Sequence, residues 1–144
     1  MFESFAKPIQ KNRVFGYEFP DHPAEYFWRI ESTVSRSDDA PVAAIHFERY
    51  ALWRHTAKGV WVVPWGLRNA TFRFQKEQNE KLKKFVLHSA RRKHSYPTRS
   101  EAWRSFLIRQ THRVWHCRNA LESAETVHDA AHEIDISNLI GETT

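Results

Sequence analysis

At 144 residues and 17.1 kDa, the chain has the length of one domain and enough material to bury a core without staples. Its 41% hydrophobic content excludes a disordered polymer, its one cysteine excludes an internal disulfide and a zinc ribbon, and no apolar run approaches the ~20 residues of a membrane span. A net charge of +5 beside 14% aromatic residues points to a partner with anionic groups and flat rings, or to a protein partner.

The opening "MFESFAKPIQKNR" lacks the apolar stretch of a signal peptide, so a cytoplasmic protein is expected. "VFGYEFP" (14–20) has strand composition and is closed by Pro20. In "DHPAEYFWRIEST" the spacing of Tyr26, Phe27 and Ile30 predicts a helix starting near Pro23, with Asp21 as its cap. "SRSDDAP" (35–41) reads as a loop. The aromatic run "VAAIHFERYALWRH" (42–55) predicts a strand, "TAKG" a turn on Gly59, and "VWVVPW" (60–65) the return strand of a hairpin that ends at Pro64. "ATFRF" (70–74) predicts a third strand, "QKEQNEKLKK" (75–84) an exposed helix or loop, and "FVL" (85–87) a short buried strand.

The basic connector "HSARRKHSYP" leads into the strongest signal of the chain. Pro97, Thr98 and Glu101 form a helix start with a capping box, and Trp103, Phe106, Leu107, Val114, Cys117, Leu121 and Ala124 follow at helical spacing. A helix from 99 to about 127 would measure roughly 42 Å, so it either breaks near Ser123 or projects. The expected architecture is therefore α+β: a small antiparallel sheet of three or four strands, within 14–87, packed against the apolar stripe of a long C-terminal helix. One domain over 1–134 and a flexible tail over 135–144 complete it.

Charge is segregated along this half of the chain. Residues 76–118 hold twelve Lys or Arg against three Glu, a net +9, while residues 119–144 hold six acids and no base, a net −6. That order opposes the helix macrodipole, which favours acids at the N-terminal end. An antiparallel homodimer through the C-terminal helix would set the basic half of one copy beside the acidic half of the other.

Residue types also limit the chemistry. The glycines, at 16, 59, 66 and 141, lie too far apart for a P-loop or a dinucleotide loop, and no cofactor fingerprint is present. His112 with His116, and His128 with His132, have the four-residue spacing of helical metal sites. "HDAAH" places Asp129 where a metalloprotease has Glu, one methylene too short, so a His-based metal hydrolase is an alternative rather than the leading reading. Cys117 on the apolar stripe reads as a buried, inert thiol. The candidate contact residues are the cations Arg91, Arg92, Lys93, Arg99, Arg104, Arg109 and Arg113, with Tyr96 and Trp65 as aromatic contacts.

The run "KKFVLHSARRKHSYPTRSEAWRSFLIRQ" (83–110), about a fifth of the chain, resembles a pattern of small accessory proteins of tailed phages. The shared features are a short "FVL" strand, the basic "ARRK" connector, the "YPT" helix start and a helix opening on "EA". The resemblance implies a phage protein with an α+β fold that blocks a host defence factor by binding, and it carries over no functional residue. The functional expectation is thus a non-catalytic binding protein whose basic, aromatic surface occludes a site on a host protein or anionic ligand. A sequence-tolerant nucleic-acid or nucleotide binder is the alternative.

Overall fold

The structure, a computed structural model, describes residues 12–36, 40–69 and 73–140. Strands β1 (Arg13–Phe15), β2 (Tyr26–Arg36), β3 (Pro41–His55), β4 (Gly59–Pro64) and β5 (Lys84–Leu87) form one sheet. A 3-10 turn (Trp65–Leu67) and helix α1 (Arg73–Leu82) link β4 to β5, and helices α2 (Arg99–Glu133) and α3 (Ile136–Ile140) follow. The chain is α+β, with a sheet of five strands and a long C-terminal helix. The sheet is mixed rather than antiparallel throughout, because β1 lies parallel to β3 in the register Arg13↔Ala44 to Phe15↔His46.

The 15-residue β3 is the spine of the sheet. β2 occupies one edge along residues 41–51, and β1 and β4 share the other, against 44–46 and 50–55. Gly16 ends β1 at φ 82°, a left-handed conformation, and a Cβ there would strike the Phe47 carbonyl oxygen. β5 then pairs antiparallel with β4.

β2 overturns the expected helix near Pro23. Tyr26, Phe27, Trp28 and Ile30 are all buried because both faces of the sheet are covered, so the alternation of a half-exposed strand is missing from the sequence. Tyr26, Trp28 and Ile30 join Ala102 and Phe106 in one core cluster, with Ile45, Phe47, Trp65 and Tyr96 at its border. Phe27 joins Val60, Val62 and Val86 in a second cluster on the other face. Asp21, expected to cap that absent helix, accepts from the Arg99 N–H (3.0 Å) and so caps α2, together with Thr98, whose hydroxyl accepts from Glu101 N–H (3.2 Å).

The expected third strand at 70–74 is also corrected, since its described end, from Arg73, belongs to α1. Residues 70–72 and 37–39, the centre of the expected loop, lie outside the described residues. In β5 only Val86 is buried, and Phe85 faces outward.

Of the two alternatives, a break near Ser123 or an uninterrupted helix, α2 takes the second and runs 35 residues. Its apolar stripe does not pack as expected: Ala102 and Phe106 are its buried residues, and every residue from Thr111 to Ile140 is exposed. Beyond Phe106 the stripe continues as Leu107, Val114, Cys117, Leu121 and Ala124, all exposed, because helical spacing sets which side chains share a face and not whether that face is covered; Cys117, expected as a buried thiol, is among them. The chain divides into two compact units, Met1–Phe106 and Leu107–Thr144. The expected tail carries α3, whose start is held by Asp135 accepting from the Ser137 N–H (3.0 Å). Among the described residues no helix is long and apolar enough to cross a membrane.

Candidate binding surface

The alternation in "GVWVVP" builds the most distinctive surface of the first unit. Val60 and Val62 turn into the second core cluster, which leaves Trp61 on the opposite face. In register it stands beside Phe85 of β5, whose neighbour Val86 is buried in the same cluster. The Trp61 and Phe85 ring centroids are 5.0 Å apart at 52°. With Thr56, Ala57 and Lys58 these rings line a shallow, largely apolar cleft of about 450 Å³.

The hairpin turn holds one wall of that cleft in place. Thr56 N–H donates to the Gly59 carbonyl (2.8 Å), and its hydroxyl bonds both the carbonyl (3.0 Å) and the N–H (3.1 Å) of Gly59. Gly59 is required here, because a Cβ would meet the Val86 carbonyl oxygen and, at 2.7 Å, the Phe85 ring. Cations edge the rings: Lys83 Nζ lies 4.8 Å from the Trp61 centroid and 5.8 Å from that of Trp53, and the Arg54 guanidinium lies 4.3 Å over Trp53. The register shift between Leu52 and Arg54 places Trp53 beside them. Glu80 accepts from Lys83 (2.8 Å) and pairs with Arg54 (3.5 Å), and the Lys83 hydrogen bond holds its carboxyl below the ordinary value.

A second aromatic–cation group is already saturated. The Arg49 guanidinium stands 3.9 Å over Phe19 and 4.5 Å over Trp65, and Arg68 stands 4.1 Å over Trp65. Trp65 also packs edge-on to Tyr26 at 5.1 Å. Trp65, expected as an aromatic contact, is half-buried, with its ring at the border of the core and against two guanidinium groups.

The other expected contact residues separate into several places. Arg91 and Arg92 are exposed on the connector after β5, and Arg104 is exposed on α2. Lys93 is half-buried, and its N–H donates to the Tyr96 hydroxyl (3.2 Å). Tyr96, half-buried, has structural partners: its backbone exchanges hydrogen bonds with Trp28 (2.6 and 2.8 Å) and its ring borders the first core cluster. Arg99 is likewise committed, to Asp21 (3.2 Å) and to the Tyr17 carbonyl. Arg109 and Arg113 belong to the second unit. Trp61, Phe85, Trp53, Lys58 and Lys83 were missed by the sequence reading, although the Val-Trp-Val-Val alternation carried a signal for Trp61.

Titratable groups add one further feature on the first unit. Burial, then repulsion from Glu31, raises the Glu48 carboxyl above its ordinary value. Burial, then the Glu48 charge, raises the Tyr50 phenol. In the second unit His128 and His132 bring their Nε2 atoms to 3.2 Å. Among the described residues no group of three or more His, Cys, Asp or Glu is placed to hold a metal ion. The chain matches no family model, no curated protein and no solved structure.

Proposed function

We propose that this chain is a non-catalytic binding protein that occludes a site on a protein partner with the Trp61–Phe85 surface of its first unit. The observation that carries the reading is the outward-facing ring pair in an open cleft, edged by Lys58 and Lys83. Tryptophan anchors with arginine beside them are the composition of protein-binding hot spots, and Trp53 with Arg54 over it adjoins this pair. Glu80 already engages both Lys83 and Arg54, so part of the positive charge beside the rings is neutralised internally. That weakens the field available to a phosphate backbone and favours a partner with an apolar or aromatic anchor and a few acidic groups. The resemblance of residues 83–110 to tailed-phage accessory proteins supports a host protein as that partner and inhibition as the outcome.

Affinity capture from host cells with the full chain, alongside Trp61→Ala and Phe85→Ala, tests this. A stoichiometric protein partner held by the parent and lost by both variants supports the reading. A partner kept by both variants overturns it. Binding to single-stranded oligonucleotide alone, falling steeply with salt, would replace it with the nucleic-acid alternative.

A further inference from the structure

The second unit presents a face that the proposed function does not use. Leu107, Val114 and Leu121 recur every seven residues along α2, and they are 47%, 49% and 59% exposed. Gln110, Cys117, Ala124 and Ala131 recur at the intervening three-residue offset, and His128 continues the first series. Together these are the a and d positions of a heptad seam. A hollow of about 390 Å³ opens along one edge of this face, lined by Leu107, Gln110 and Val114 of the seam and by Thr111, Trp115 and Arg118 beside it.

We propose that α2 pairs antiparallel with α2 of a second copy through this seam, about a two-fold axis at the level of residue 119. In that register Leu107 meets Ala131 of the partner, Val114 meets the partner's Ala124, and Leu121 meets the partner's Cys117. Each large apolar side chain therefore faces a small one, as interdigitation requires. The remaining layer sets Gln110 against the partner's His128, polar against polar, a pairing that specifies register. All eight seam residues are paired and none is left over.

Charge selects the same arrangement. Within Leu107–Glu133, the bases Arg109, Arg113 and Arg118 precede the acids Glu122, Glu125, Asp129 and Glu133. The antiparallel register sets the basic half beside the partner's acidic half, and along the edge of the seam that Arg118 and Glu125 share, Arg118 reaches toward the partner's Glu125. A parallel pair would align like with like. Sliding the antiparallel pair by one heptad toward the N-terminus would put Leu121 against the partner's Gln110, an apolar side chain against a polar one.

The test is the mass of the full chain in solution, by analytical ultracentrifugation up to about 100 μM, with covalent trapping of the register. A concentration-dependent dimer is expected, and a monomer throughout overturns the proposal. In a Cys117→Ser background, Val114→Cys with Ala124→Cys should form a disulfide dimer under mild oxidation, while either cysteine alone should not. Crosslinking of the parent chain through Cys117 to Cys117 would show a parallel pair and overturn it.

Arg118→Glu should weaken the dimer by about tenfold or more, since the two-fold axis repeats the contact, and adding Glu125→Arg should restore it. Absence of that rescue, with helix content unchanged by circular dichroism, also overturns it. These outcomes are independent of Trp61 and Phe85, so they separate from failure of the proposed function.

Discussion

Phe106→Ala tests whether one turn of α2 closes the core of the first unit. Phe106 is 5% exposed and packs with Tyr26, Trp28, Ile30 and Ala102. Truncating a buried phenyl ring forfeits its transfer free energy and leaves a cavity, which together cost about 3–5 kcal/mol. In a unit of this size each kcal/mol lowers Tm by about 4–8 °C, so a fall of at least roughly 12 °C is expected. Ile108, two residues further on, is 51% exposed and lies off the heptad seam, so Ile108→Ala should cost about 1 kcal/mol or less. Urea unfolding at one fixed protein concentration, followed by tryptophan fluorescence, compares the two variants. Equal losses, or a larger loss for Ile108→Ala, would refute the division of burial between these neighbouring turns.

Three more substitutions probe particular contacts. Gly59→Ala should destabilise the hairpin by about 1–3 kcal/mol, because its Cβ has no room beside the Val86 carbonyl and the Phe85 ring; an unchanged Tm would show that the turn adjusts freely. Asp21→Ala removes both the cap on the Arg99 N–H and the ion pair with its guanidinium, and should cost about 0.5–2 kcal/mol in thermal unfolding.

Glu48→Gln should raise Tm at pH 7. The folded chain holds the Glu48 proton more tightly than the unfolded chain does, so the ionised carboxylate opposes folding above its raised pKa. Below the ordinary value of 4.5 the group is protonated in both states and the advantage should vanish; a gain that persists there would place the cause elsewhere than ionisation.

Local chemistry along the chain determined much of the outcome. The hairpin on "TAKG" is legible because Gly59 sits between two runs of strand-forming residues, and the start of α2 because Pro97, Thr98 and Glu101 each satisfy a local requirement of a helix terminus. The seven-residue repeat and the charge order of α2 are likewise properties of the sequence alone. Tertiary structure decided what depends on partners distant in sequence. β2 reads as a helix until the sheet is seen to be covered on both faces, since burial on both sides removes the alternation that marks a strand. The three-residue β1 cannot declare its parallel pairing, which depends on the length and position of β3. The internal partners of Tyr96, Arg99 and Trp65 are not legible in the sequence, because Trp28, Asp21 and Arg49 lie far from them along the chain. Trp61 and Phe85 meet only through strand pairing, so an aromatic pair 24 residues apart becomes a surface once the sheet forms.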